Sequence, residues 1–276
     1  MSVEILITAA ELQRRLREDK PPVLLDVRWA LGDHDGHQHF LDGHLPGAVY
    51  VDLETELAAS GSPAGGRHPL PELGALEASA RRWGINSDSA IVIYDAVANV
   101  SAARAWWLLR WGGLADVRML DGGIGAWERA GGPLQNGEST PLPGNVVITG
   151  GHMPVLDIDA AARMPTTGLL LDARAGERYR GEVEPIDPRA GHIPGALSAP
   201  TAENLAVDGT FLDPGALRAR FSALGVRAGG EVGVYCGSGV SAAHEIAALE
   251  LAGFGAALYP GSWSQWSSDP QRPVAT

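Results

Sequence analysis

One cysteine among 276 residues leaves no partner for an intramolecular disulfide and no second thiolate for a Cys-rich zinc site. That residue, Cys236, is therefore either a buried small hydrophobe or a reactive thiol. Positive charge is also in deficit. The 21 basic residues face 33 acidic ones, a net charge of -12, and such a surface repels phosphate backbones and anionic lipid heads. Neither nucleic acid nor a membrane surface is an expected partner. No apolar run reaches the roughly 18 residues of a membrane span. The stretch Glu4-Ile5-Leu6-Ile7 follows no basic n-region, so cytoplasmic residence is the expectation. Glycine and proline are scattered instead of gathered in low-complexity tracts, and disorder is not indicated.

What the chain does contain is a repeat of itself. Val23-Leu24-Leu25-Asp26-Val27-Arg28 returns as Leu169-Leu170-Leu171-Asp172-Ala173-Arg174, so that Asp26 and Asp172 stand 146 residues apart. Each copy reads as a buried strand meeting a loop. Gly43-His44-Leu45-Pro46-Gly47-Ala48 returns as Gly191-His192-Ile193-Pro194-Gly195-Ala196 at an offset of 148. Ile91 to Asp95 matches Val232 to Cys236 and Gly122 to Trp127 matches Gly261 to Trp266, at offsets of 141 and 139. Matched blocks in conserved order imply a duplicated domain: 1–140, a linker over 141–154, and 155–276. Gly131-Gly132-Pro133, Pro143-Gly144 and Gly150-Gly151 suit an exposed connector around that boundary. Short apolar strands alternate with amphipathic helical windows such as Ser101 to Arg110 and Ser241 to Ala252, which predicts an α/β fold with mainly parallel sheets flanked by helices.

In the second repeat the strand Glu231 to Tyr235 delivers Cys236 to Gly237-Ser238-Gly239-Val240-Ser241, after which a helix is predicted. Glycines at this turn let the backbone curl so that successive N–H groups face the sulfur, forming a nest. The helix N-terminus behind it adds positive partial charge, and both effects favour thiolate over thiol. Ser241 is expected to cap the helix and to donate its hydroxyl to the anionic sulfur. A cysteine so placed, at the carboxyl end of a strand in an open α/β sheet, is expected to be a nucleophile.

These motifs, with Ser101-Ala102-Ala103-Arg104-Ala105-Trp106-Trp107 and Asp121-Gly122-Gly123, resemble tandem-domain rhodaneses of the thiosulfate and mercaptopyruvate sulfurtransferase family over nearly the whole chain. The resemblance implies an inactive first repeat, and Asp95 does stand where Cys236 stands in the second. It implies ping-pong chemistry: the Cys236 thiolate takes sulfur from a small-molecule donor, becomes a persulfide, and passes the sulfur to an acceptor such as thioredoxin, a low-molecular-weight thiol or cyanide. No metal or organic cofactor is called for.

Donor choice follows the loop. Thiosulfate enzymes of the family resemble Cys-Arg-Lys-Gly-Val-Thr, whereas mercaptopyruvate enzymes resemble Cys-Gly-Ser-Gly-Val-Thr. The Cys-Gly-Ser-Gly-Val-Ser found here favours 3-mercaptopyruvate, with thiosulfate as the alternative. A carboxylate donor calls for a guanidinium fork, which the resemblance assigns to Arg178 with Arg189 as its companion and Arg180 in competition. Loop residues Gly237, Ser238, Gly239, Val240 and Ser241 complete the expected substrate site. The family also brings a histidine to the cleft, matched by His68 in Gly66-Arg67-His68-Pro69-Leu70-Pro71. A relay of Ser238, His68 and Glu54 would then carry a proton to the leaving enolate.

His44 and His192 occur at the same turn in both repeats and are assigned to the fold. His34, His37 and His39 are irregularly spaced, and the four tryptophans Trp106, Trp107, Trp263 and Trp266 are assigned to packing. A cysteine phosphatase would need arginine six positions after the cysteine, where Ala242 stands. A non-catalytic interaction or sulfur-carrier module is the remaining alternative, and the intact Cys236 loop argues against it.

Overall fold

The computed structural model describes residues 4–276, which divide into a pair of compact units. The first takes the described chain up to Leu57, then Pro71–His152 and Val207–Thr210; the second takes Ala58–Leu70, Met153–Ala206 and Phe211–Thr276.

The first unit runs β1 (Leu6–Ile7), α1 (Ala9–Arg15), β2 (Val23–Asp26), α2 (Gly36–Asp42), β3 (Val49–Tyr50), α3 (Leu53–Glu56), α4 (Leu73–Arg82), β4 (Ile91–Tyr94), α5 (Val100–Trp111), β5 (Val117–Leu120) and α6 (Gly123–Arg129). Its sheet has the order β1-β5-β4-β2-β3. The second runs α7 (Ile158–Thr167), β6 (Leu169–Asp172), α8 (Gly176–Tyr179), β7 (Leu197–Ser198), a 3-10 turn (Thr201–Asn204), α9 (Pro214–Ala223), β8 (Val232–Tyr235), α10 (Ser241–Leu251), β9 (Ala257–Leu258) and α11 (Ser262–Ser268). Its sheet has the order β7-β6-β8-β9. Every strand pairing in both sheets is parallel. The place of β1 is taken in the second unit by a single parallel bridge, Val155 to Leu258.

Strands buried on both faces read as continuous apolar runs, which is why Ile-Val-Ile-Tyr and Val-Gly-Val-Tyr become the interior strands β4 and β8. The repeated motifs act together at the strand ends. In β2, Asp26 accepts two bonds from Arg28, whose Nη2 also donates to the Gly43 carbonyl at 3.0 Å. In β6, Asp172 holds Arg174 in the same way, and Arg174 Nη2 reaches the Gly191 carbonyl at 2.7 Å. The Asp-x-Arg strand end is thus tied to the Gly-His-x-Pro-Gly turn in each unit. His44 and His192 direct Nδ1 to the carbonyls of Phe40 and Tyr179, both at 2.8 Å, and stack on those rings. Each serves the fold. The four tryptophans named above are all buried.

The stretch 141–152, expected as an exposed connector, is instead laid along the first unit. The N–H groups of Gly144, Val146, Thr149 and His152 donate to carbonyls of Arg81, Ile85, Gly112 and Trp111, and the side chains of Val146 and Ile148 are buried. Segment 58–70 also departs from a simple division, because its backbone is bound to α11. Ser264 Oγ accepts the Arg67 N–H at 3.0 Å, and Gln265 Nε2 donates to the Ala64 carbonyl at 2.6 Å.

Candidate active site

Cys236 follows the last residue of β8, and five residues, Cys236 to Val240, separate that strand from α10. The thiol is only 2% exposed. Gly239 sits at φ +81°, a conformation that favours glycine, and its N–H donates to Cys236 Sγ at 3.1 Å.

The first turn of α11 orients this loop. Trp263 and Ser264 donate their N–H groups to the carbonyls of Cys236 and Gly237, each at 2.9 Å, and Ser262 Oγ accepts the Cys236 N–H at 3.1 Å. In a trans peptide the carbonyl and the following N–H point in opposite directions. Fixing the Cys236 and Gly237 carbonyls on α11 therefore turns the N–H groups of Gly237 and Ser238 to the other side.

The matching loop of the first unit shows what such a backbone binds. Asp95 projects its carboxylate into its own loop and accepts four backbone N–H groups, from Val97 (2.9 Å), Asn99 (2.8 Å), Ser101 (2.8 Å) and Ala102 (3.0 Å). Burial pushes this carboxyl up from its ordinary range, while those N–H groups pull it back. At the offset of 141 the matching positions are Ser238, Val240, Ala242 and Ala243, of which Ala243 differs in donating its N–H to the Val240 carbonyl at 3.0 Å. The turn is an anion nest in the first unit, filled by its own aspartate, and the second unit places a cysteine at its entrance.

Ser241 does not cap α10. It is the first helical residue, and the capping position falls to Val240, which forms no side-chain cap bond. The N-terminus of α10 thus offers backbone N–H groups and helix dipole alone.

Ser238 Oγ lies 2.7 Å from His68 Nδ1, and both residues are buried. Glu54, the third residue of the expected relay, belongs to α3 of the first unit and accepts the Trp29 indole N–H at 2.9 Å.

Arginine placement corrects the expectation. Arg178 stands beside the Cys236 loop: a methyl group on Gly237 would come within 3.5 Å of Arg178 Nη1 and 3.0 Å of Arg67 Nη2. Arg189 does not join it. Its guanidinium is taken up by the carbonyls of Trp266, Ser267, Asp269 and Arg272 at 2.6–2.9 Å, fastening the end of α11 and the segment after it. Arg180 forms an exposed pair with Glu182. The second guanidinium at the loop belongs to Arg67, the residue before His68, which no local motif marks as a loop partner. Both loop arginines bind Asp187, Arg178 through Nη2 at 3.2 Å and Arg67 through Nη1. Glu184 takes a second bond from Arg178 at 2.6 Å and one from Arg174 at 3.3 Å. Burial raises the Asp187 carboxyl from its ordinary value, opposed by the charges of Arg67 and Arg178.

Among the described residues no group of His, Cys, Asp and Glu side chains is arranged to hold a metal ion. His37 and His39 instead pair with Glu138 and Asp33. No helix among the described residues is long and apolar enough to cross a membrane.

The chain is similar to known proteins in sequence and fold. A rhodanese-like domain model matches residues 8–130 and again 157–269. SseB of Mycobacterium tuberculosis, which carries a provisional thiosulfate sulfurtransferase name, is 51% identical over 98% of this chain and 96% of its own length. A Pseudomonas aeruginosa protein named a probable 3-mercaptopyruvate sulfurtransferase is 50% identical, covering 100% of this chain and 99% of its own. The crystal structure of SseA from Escherichia coli, a 3-mercaptopyruvate enzyme, superposes with a TM-score of 0.83 at 32% identity, covering 95% of this chain and 99% of that one.

Proposed function

We propose, from the premise that this chain belongs to the rhodanese family of sulfurtransferases, that its sulfur donor is 3-mercaptopyruvate and its sulfur carrier a persulfide on Cys236. The observation that carries the donor assignment is the pairing of Ser238 with His68 at 2.7 Å inside a loop that has no cationic side chain of its own.

The thiolate of Cys236 attacks the donor sulfur. An S–S bond forms, the C–S bond breaks, and its electron pair passes to the pyruvate enolate, which must then be protonated. The Ser238 and His68 pair supports that proton transfer, and Glu54 is assigned, on family resemblance, as the carboxylate behind His68. Arg67 and Arg178 bind the donor carboxylate. The persulfide left on Cys236 is held by backbone N–H groups of its loop, that of Gly239 among them, as the first unit's loop holds the Asp95 carboxylate. A thiol acceptor, thioredoxin or a small thiol, attacks the outer sulfur and regenerates the Cys236 thiolate. A reducing compartment such as the cytosol fits this cycle, since it keeps the lone cysteine as a thiol.

The name of the mycobacterial relative favours thiosulfate as a second reading. Parallel kinetics separate the two. Pyruvate release from 3-mercaptopyruvate with a dithiol acceptor, and thiocyanate formation from thiosulfate and cyanide, are measured in wild type and Cys236→Ser. The expected result is a higher kcat/KM for 3-mercaptopyruvate and no turnover of either donor by the variant. A higher kcat/KM for thiosulfate overturns the donor, and turnover by Cys236→Ser overturns the carrier.

A further inference from the structure

We infer that Asp187 sets donor specificity by neutralising the guanidinium pair at the Cys236 loop, so that the site accepts a monoanionic sulfur donor and disfavours a dianion. The inference rests on the sulfurtransferase reading above and deepens it.

The groups concerned form one alternating chain. Asp172 pairs with Arg174, Arg174 with Glu184, Glu184 with Arg178, Arg178 with Asp187, and Asp187 with Arg67. Three carboxylates thus match three guanidiniums, and their net charge is zero. Asp187 holds a particular place in it, since its Oδ1 meets Arg67 and its Oδ2 meets Arg178, the residues whose guanidiniums lie against Gly237. Glu184 also binds Arg178, at 2.6 Å through the Oε1 that accepts the backbone N–H groups of Ile186 and Asp187, and its Oε2 meets Arg174, so its charge is divided between Arg178 and a guanidinium away from the loop. The Asp187 side chain is 3% exposed, so solvent screens its charge poorly.

A donor entering this site meets two cations already balanced by anions. 3-Mercaptopyruvate brings one carboxylate with a neutral keto group and thiol. Thiosulfate brings two negative charges on a compact ion, and the buried carboxylates repel the second of them. Exclusion by a placed like charge is a common route to specificity. It accounts for discrimination that absence of cations from the loop supplies only in part.

The test compares wild type with Asp187→Asn, which is nearly isosteric and removes the charge. The expected result is a rise of at least about tenfold in the kcat/KM ratio of thiosulfate to 3-mercaptopyruvate, carried by a lower KM for thiosulfate. A ratio within twofold of wild type, with both donors falling together, would mean that Asp187 only latches the loop, and would overturn the inference. Should that variant fail to fold, inhibition of the wild-type enzyme decides. Pyruvate, an inert monoanion, is expected to inhibit at least about tenfold more tightly than sulfate, an inert dianion, and the reverse order overturns the inference. The underlying reading fails separately: wild type that turns over no donor, or prefers thiosulfate, sinks the functional proposal whatever Asp187→Asn does.

Discussion

Ser262 accepts the backbone N–H of Cys236 at 3.1 Å from a left-handed conformation, φ +53°, that a residue with a side chain adopts only under strain. Its counterpart in the first repeat, Gly123, has φ +58° and no strain. A Cβ there would meet the Asp95 carbonyl oxygen at 2.4 Å. The second repeat instead places a serine at this position beside Cys236, where its hydroxyl also donates to the Tyr259 carbonyl at 2.9 Å. Strain at such a position is consistent with a functional constraint.

Replacement separates the hydroxyl from the strain. Ser262→Ala keeps the strain and leaves the buried Cys236 N–H unpaired, so it should destabilise the protein by about 1–3 kcal/mol. Ser262→Gly loses the same bond but relieves about 1–2 kcal/mol of strain, and should be the more stable variant. Both should lower kcat. Urea unfolding and steady-state kinetics check this, and an alanine variant as stable as the glycine variant would contradict it.

The Ser238 and His68 pair should act as one unit. Ser238→Ala and His68→Gln are each expected to lower kcat with 3-mercaptopyruvate by about 10²-fold or more, with the double variant little worse than either single one. A double-mutant cycle with additive losses would show two independent contributions.

Arg178 and Arg189 should respond oppositely to the same change. Arg178→Lys removes the planar fork beside Gly237 and should raise KM for 3-mercaptopyruvate by about tenfold. Arg189→Lys loses several carbonyl bonds in the segment after α11 and should lower the unfolding midpoint while leaving KM near wild type. A KM effect at Arg189 would restore it to the donor site.

Glu245 supplies a pH test. It lies on α10, fully buried, bound by Asn204 Nδ2 at 2.6 Å and Arg220 Nη1 at 3.0 Å. Burial pushes its carboxyl up to about 7, against the pull of those partners. A carboxyl raised on folding holds its proton more tightly in the native state, so stability is greatest below the unfolded value and falls as pH rises to about 7. Relative to Glu245→Gln, wild type should lose on the order of 3 kcal/mol between pH 4.5 and 7 and no more above that. Urea midpoints of both proteins across this range measure it, and a constant difference would count against the shift.

Much of this was legible in the chain. The duplicated Asp-x-Arg ends, the paired Gly-His-x-Pro-Gly turns and the strand-to-helix turn at Cys236 are local patterns, and local geometry fixes what each one does. Less legible were contacts made over long distances. Arg67 and Asp187 lie 120 residues apart, and nothing in either loop announces the other. Arg189 is chemically as good a fork as Arg178, but the carbonyls that occupy it are contributed by Trp266 to Arg272. Ser241 has the residue type of a cap, yet backbone dihedrals put the helix start on it instead of after it.

By itself the sequence determined the repeat, the α/β architecture and the strand-to-helix turn that carries Cys236, because apolar periodicity, glycine conformational freedom and residue chemistry act within a few positions. Tertiary structure alone decided which guanidiniums reach Gly237 and which carboxylates pair with them. A long arginine side chain can reach many partners, and its choice is made by the folded positions of loops 58–70 and 182–190.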